Sequence, residues 1–399
     1  MTIPIRIFGS HDERTVAQLE RCAQAGSATR AVLCADGHLG YSQPIGGAIA
    51  YEDAISPSGV GYDIGCGNKA VRTTIHAADL DVPRVMDEIY DRVSFGIGRK
   101  NNEPVGHQVL DQIGDAEFAP QRALLDLAAS QLGTVGAGNH YVDLFADGDD
   151  QVWVGVHFGS RGFGHKTASG FLALAQGLDF DERAKQGEMD APPTLFPTDS
   201  ELGQAYLSAM SLAGAYAYAG RDVVVDKVLD ILGTEAVDEV HNHHNFAWLE
   251  EHDGRQVWVV RKGCTPAFPG QRGFVGASMG EPSVILEGVD SPDSAQALYS
   301  TVHGAGRAMS RTKAAGKWRK RDGIRVREGG AVDWDAVTRG LAAAGIELRG
   351  GAADEAPAAY KRLSQVLADQ GEGTIRVTHE LRPLGVAMAG ADTFDPFKD

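Results

Sequence analysis

The residues of this chain best suited to bind metals or attack phosphorus sit in glycine- or asparagine-flanked turns, and those turns are dispersed along most of its length. They read Asp63-Ile-Gly-Cys66-Gly, Gly138-Asn139-His140, His157-Phe-Gly-Ser-Arg161-Gly, His243-His244-Asn245 and His303-Gly-Ala-Gly-Arg307. Segments so far apart can serve one site only if loops from many elements converge. No internal repeat and no flexible linker separates them. The expectation is one α+β domain over residues 1–399, with mixed β-sheets flanked by helices and an active site built from converging loops. Residues 166–200, which carry Pro192, Pro193 and Pro197, read as an insertion or long loop.

Local patterns place the elements around these turns. Helical spacing covers residues 13–25 and stops at Gly26. It recurs over 108–132, most strongly over 204–232, and again over 335–345 and 355–370. Strands are expected at Ala31–Cys34, Gln151–Phe158, Arg255–Val260, Ser283–Glu287 and Thr374–Thr378. No run of about 18 apolar residues occurs, and the N-terminus lacks a signal-peptide pattern. The expected location is cytoplasmic, with no membrane partner. Four cysteines in 399 residues are too few for a disulfide framework. Cys22 and Cys34 read as buried small hydrophobes, and Cys264 as a loop residue without a clear role.

The formal net charge is −17, which excludes broad nucleic-acid binding through the overall field. Charge is unevenly placed, however. From Arg307 to Arg327 the chain carries nine Lys or Arg residues, with Asp322 the only acidic one in that span. Such a run is ordinarily a solvated helix face or loop. Its start inside a glycine-rich histidine motif points instead to phosphate.

Two kinds of chemistry follow from the turns. Asp63 and Cys66 are three apart on a glycine-bracketed turn, so both can face one ion, and a thiolate has lone pairs enough to bridge two. His140, His157 and His244 are the remaining candidate ligands. Singly, each histidine reads as well as a satisfied core residue; jointly they read as a metal site. No zinc-finger spacing occurs, which argues against a structural knuckle. His303 is left over. Gly304, Ala305 and Gly306 let backbone N–H groups crowd a phosphate, and Arg307 can neutralise it. A neutral imidazole whose other nitrogen is oriented is a good nucleophile toward phosphorus. Arg311, four residues on, is placed to share a helix face with Arg307.

These segments together resemble the RtcB family of RNA ligases, from about Asp36 to Gly390. The resemblance is carried by Asp36-Gly-His-Leu-Gly-Tyr, Ser56-Pro-Ser-Gly-Val-Gly-Tyr-Asp63-Ile-Gly-Cys66-Gly, Gly138-Asn139-His140, His157-Phe-Gly-Ser-Arg161-Gly, His244-Asn245, Arg261-Lys262-Gly, Ser278-Met-Gly, His303-Gly-Ala-Gly-Arg307-Ala-Met-Ser-Arg311, and Glu355-Ala-Pro with Tyr360-Lys361. It implies a GTP- and manganese-dependent ligase joining RNA 3'-phosphate or 2',3'-cyclic phosphate ends to 5'-hydroxyl ends. By the resemblance His303 is guanylylated, and GMP then passes to the RNA 3'-phosphate and leaves when the 5'-hydroxyl attacks. Cys66 would bridge two metals, with Asp63 and His140 on one and His157 and His244 on the other. Asn139 would contact nucleotide phosphates, and Arg161, Arg307 and Arg311 would meet RNA phosphates or GMP. Ser278 and Tyr360 would line the guanine pocket, with Asp36 and Lys262 as further active-site positions. An archease-like activator is an implied possible partner. The same ligand set also takes zinc or cobalt.

The chain departs from the family pattern near the nucleotide. The family lysine before the last glycine is Ala389, its glutamate after Gly-Asn-His is Asp143, the serine after the metal histidine is Phe158, and Pro-Gly before Ser-Met-Gly is Gly276-Ala277. The expectation is a divergent paralogue in RNA repair or tRNA splicing. The alternatives are a metal-dependent RNA phosphodiesterase or cyclic-phosphate hydrolase, and a non-catalytic RNA-binding protein.

Overall fold

The computed structural model describes residues 3–101, 103–184, 189–321 and 324–391. Its architecture is α+β, as expected, with mixed sheets flanked by helices. The largest sheet has eight strands. Seven lie in the order Arg272–Val275, Ser283–Gly288, Ile375–Gly390, Tyr141–Ala146, Gln151–Phe158, Gly67–His76 and Asp238–His243. The eighth, Glu347–Gly351, pairs in parallel with the long strand Ile375–Gly390. A five-stranded sheet runs Ile5–Ile7, Ala28–His38, Ile45–Tyr51, Arg255–Lys262 and Asn245–His252.

The chain crosses directly from the larger sheet to the smaller at His244. Asp238–His243 ends in one sheet and Asn245–His252 begins in the other. Neighbouring strand residues point to opposite faces, which separates His243 from His244. A two-stranded ribbon, Cys264–Pro266 with Ser300–Val302, runs up to His303. Cys22 and Cys34 are buried, and Cys264 lies in this ribbon rather than in a loop, its sulfur 3.8 Å from that of Cys34.

The helix Glu201–Leu232 packs behind the larger sheet. Ser200 caps its N-terminus by accepting from the Gly203 N–H, and Gly233 closes the other end in the left-handed region at φ 67°. Its 32 residues span ~48 Å. Ala209, Ala213, Ala217, Gly220 and Val224 lie on its buried side, where small side chains bring the helix close to the ligand-bearing loops. A methyl on Gly214 would press on the Phe246 ring and the His243 imidazole.

Several elements differ from their sequence-based limits. The helical pattern over 108–132 resolves into Gln108–Gly114, Ala119–Arg122 and Leu125–Gln131, because Pro120 starts a new first turn. The stretch 355–370 is helical only over Leu363–Gln370; short 3₁₀ turns precede it, and Ala356 before Pro357 is extended. Residues 166–174 continue the helix Arg161–Leu174, so an irregular stretch starts only after Leu174, and residues 185–188 lie outside the described ones. The basic run is neither a helix face nor a loop. Only Arg311–Ala315 is helical, and the strands Gly316–Arg321 and Ile324–Gly329 follow as a hairpin. Asp322 lies outside the described residues.

Gly67 is paired opposite His243, and a methyl there would overlap the Asn242 carbonyl oxygen. Gly67→Ala should therefore cost about 1–3 kcal/mol through overpacking of the ligand-bearing strands. A urea midpoint equal to that of the unsubstituted protein would refute this.

Candidate active site

The larger sheet, the junction at His244 and the His303 ribbon open into one cleft of about 880 Å³, within the usual range for small-molecule sites. Asp63, Cys66, Asn139, His140, Asp143, His157, His244, Ser278, His303, Gly304, Ala305, Gly306, Arg307, Arg311 and Tyr360 all line it. Lys262 also lines it, whereas Arg161 stands beside His140 and Asp36 beneath His303.

Cys66 is the common member of two donor groups. Cys66, His157 and His244 form one, and Asp63, Cys66 and His140 the other, with the ligand atoms in each within 4.8 Å of one another. Cys66 Sγ is 3.4 Å from His157 Nε2 and 3.8 Å from His140 Nε2, and His140 Nε2 is 3.1 Å from Asp63 Oδ2. His140 Nδ1 donates to the Val135 carbonyl at 2.9 Å, which orients the ring so that Nε2 faces the group. Arg161 stands 3.3 Å from the same Nδ1.

The electrostatics fit a cation. Burial and the Asp63 carboxylate push the Cys66 thiol up, so a thiolate here needs a positive ion beside it. Burial pushes the Asp63 carboxyl up as well, but the His140 hydrogen bond and charge, with Arg161, outweigh it and hold that carboxyl down at about 2. Burial and neighbouring imidazoles lower His157 and His244, which keeps both neutral with lone pairs available. Buried His244 Nδ1 has no hydrogen-bond partner among the described residues. Three donors per group leave positions open for substrate, the pattern of a catalytic rather than a structural site.

His303 stands against this cluster, its ring centroid 4.9 Å from that of His244. Its Nδ1 is 2.6 Å from Asp36 Oδ2, and the same oxygen accepts the His303 backbone N–H at 2.9 Å. Asp36 is fully buried. The carboxylate accepts a hydrogen bond from the Nδ1–H, so Nε2 is the nitrogen left for an electrophile. This role of Asp36 was hidden in the sequence, where 267 positions separate the pair.

Arg307 and Arg311 do not share a helix face, because the helix begins only at Arg311. They meet instead on the buried Glu355 carboxylate, which stands 3.4 Å from Arg307. Arg307 bonds to the Asp354 carbonyl at 2.6 Å and Tyr360 Oη at 2.9 Å, and it stacks 4.8 Å over the Tyr360 ring. Arg311 pairs with Asp354 at 3.3 Å and with Glu355, which also accepts from the Tyr360 hydroxyl. Ser278 Oγ and Asp143 Oδ1 are buried without hydrogen-bond partners among the described residues. Burial pushes the Asp143 carboxyl well above its usual range. Ala389 lies off the main cleft, in a small adjoining hollow lined also by Arg327 and Glu355.

Arg221, beneath the donor groups, went unnoticed in the sequence. A signal existed: it falls on the apolar stripe of Ala217, Val224 and Val228, where an arginine is out of place.

The chain is similar in sequence to proteins of one known family. The family model described as tRNA-splicing ligase RtcB matches residues 18–123 and 115–389. The RNA-splicing ligase RtcB of Escherichia coli K12 is 32% identical over 388 residues, covering 87% of this chain and 87% of that protein. The tRNA-splicing ligase RtcB of Thermococcus kodakarensis is 31% identical over 477 residues, covering 97% and 95%. That of Aeropyrum pernix is 32% identical over 444 residues, covering 89% and 87%.

Cys66→Ala should lower the divalent metal taken up by the purified protein to less than half, since both groups use that sulfur, while His303→Ala should leave metal content near normal. Elemental analysis decides; equal loss in the two variants would contradict the assignment.

Proposed function

This chain belongs to the RtcB family, and from that premise we propose that it is an RNA ligase joining 3'-phosphate or 2',3'-cyclic phosphate ends to 5'-hydroxyl ends, using GTP and divalent metal. The observation that carries the reading is the oriented His303–Asp36 pair beside two donor groups that share Cys66. The premise also makes cleaved tRNA or another nicked RNA the substrate class. Among the described residues no helix is long and apolar enough to cross a membrane.

The chemistry assigned to this chain's residues runs as follows. His303 Nε2 donates its lone pair to the α-phosphorus of GTP; the P–N bond forms as the bond to the β-phosphate oxygen breaks, and pyrophosphate leaves. The imidazolium that develops keeps its Nδ1 proton, which stays hydrogen-bonded to Asp36 Oδ2, and that carboxylate offsets the charge. A 3'-phosphate oxygen then displaces His303 from the GMP phosphorus. GMP on the 3'-phosphate becomes the leaving group when the 5'-hydroxyl attacks, overcoming the poor electrophilicity of a charged phosphate. Cys66, Asp63 and His140 on one side, and Cys66, His157 and His244 on the other, would hold two manganese ions. Bound there, the ions would neutralise phosphate charge. Zinc or cobalt also suits these donors.

Arg307 and Arg311 would exchange part of their bonding from Asp354 and Glu355 to RNA or GMP phosphate. The carboxylates hold both guanidinium groups in place beforehand, which limits the ordering cost of binding. Asn139 would contact the nucleotide phosphates, with the backbone of Gly304, Ala305 and Gly306 around them. Asp143, Ser278 and Tyr360 would face the base. No lysine stands at Ala389, and Arg327 supplies the cation lining that hollow. Loss of one charged hydrogen bond costs on the order of 1.5–3 kcal/mol, about ten- to hundredfold in affinity. Base preference in this chain should therefore be weaker than a lysine contact would give.

Incubation with manganese and each α-labelled nucleoside triphosphate, with and without an archease-like activator, tests the reading. An acid-labile protein band should form and be absent in His303→Ala. A band in that variant would show that another residue is the nucleophile. RNA ends that are opened but never joined, with no band under any nucleotide, would replace the ligase with a cyclic-phosphate hydrolase.

A further inference from the structure

Arg221 is the only charged residue among those the helix Glu201–Leu232 buries, and it is fully buried. Its guanidinium spans the undersides of three separate segments. One terminal nitrogen donates to the Phe158 carbonyl at 2.6 Å and the Gly65 carbonyl at 2.9 Å. The other donates to His243 Nδ1 at 2.9 Å, and Nε donates to His241 Nε2 at 2.9 Å. Arginine is a donor only, so His243 Nδ1 is an acceptor. The Gly65 carbonyl 2.9 Å from it shares the guanidinium and takes no proton from the ring. The His241 tautomer agrees, with Nδ1 turned to Asp222 at 3.4 Å.

Three of the four acceptors are chain neighbours of a donor in a single group. Gly65 precedes Cys66, Phe158 follows His157, and His243 precedes His244. The other group shares only Cys66 with them, and this guanidinium's hydrogen bonds go to neither Asp63 nor His140. Two backbone carbonyls and an imidazole are held by one rigid planar fork. The relative placement of three ligand-bearing segments is thereby set from a rigid helix rather than from the loops themselves.

We infer that Arg221 is a positioning residue for the Cys66–His157–His244 half of the centre, fixing its ligand geometry without touching the ion and leaving the Asp63–His140 half largely independent of it. This rests on the metal reading proposed above. It is separable from that reading because it predicts an unequal loss of two ions rather than loss of metal altogether.

The test is Arg221→Lys, which keeps the charge but concentrates its donors on one nitrogen that cannot span the four acceptors. Metal-stripped protein is titrated with Co²⁺ alone, read by visible absorption and by elemental analysis of the folded fraction. The unsubstituted protein should take two ions. Arg221→Lys should keep one with affinity near normal and lose about 10–100-fold in affinity for the other, with a changed thiolate-to-cobalt band. His140→Ala should weaken the opposite ion, and His303→Ala neither. Two ions bound by Arg221→Lys with unchanged affinity and spectrum would overturn the inference, as would equal weakening of both. If the lysine variant does not fold, His243→Phe decides: it removes one acceptor and should shift the same ion in the same direction by a smaller factor, and no shift refutes the proposal. Absence of any cobalt uptake by the unsubstituted protein would overturn the metal reading and this inference with it.

Discussion

A sulfur buried beside a carboxylate and imidazoles constrains everything else in this structure. Burial and Asp63 oppose ionisation of Cys66, yet its position, shared by two donor groups, is useful only as a thiolate. A cation beside the sulfur would resolve the conflict, and the two donor groups could hold one each. Turns and strand ends around the larger sheet bring His157 and His244 into one group with the sulfur, and Asp63 and His140 into another. Gly159 is required in this crowding, since a methyl there would overlap the Asp63 carboxylate. Beneath the sulfur the Arg221 fork ties three of the segments together.

The same logic of charge against charge orders the opposite wall. Asp36 is fully buried and faces the backbone and ring of His303, so its negative charge is held by the group it orients. Asp354 and Glu355 are buried and face Arg307 and Arg311. Removing one partner from such a pair leaves an uncompensated buried charge, which is far more costly than the pair is stabilising. The cleft is thus lined by mutually dependent pairs, which hold the side chains of His303, Arg307 and Arg311 in place.

Much of the candidate site was legible in the sequence because its chemistry is local. Glycines around Cys66, the Asn139–His140 step and the His303 motif announce both residue type and tight backbone, and all of these residues line one cleft. The helix Glu201–Leu232 was legible from periodicity nearly to its ends. Where local signals failed, competing ones had prevailed. Pro120 and Pro357 broke patterns that looked continuous. The basic run from Arg307 paired with itself as a hairpin because Gly316 and Gly329 stand opposite each other at its ends, a cross-strand relation that helical spacing does not reveal. Cys264, read as a loop residue, was drawn into a strand by Ser300–Val302.

The sequence by itself determined the inventory: one exceptional cysteine, a carboxylate and imidazoles that could hold metal, a further histidine in a glycine-rich turn, and the caps and apolar stripes that make the elements. Those depend on residues within a few positions of each other. Only the tertiary structure decided the pairings: Asp36 under His303, Arg221 under Cys66, His157 and His244, and Arg307 with Arg311 on Asp354 and Glu355. These contacts join positions between 22 and 267 residues apart. They exist because sheet register and burial bring donors and acceptors within hydrogen-bond reach, which no local pattern encodes.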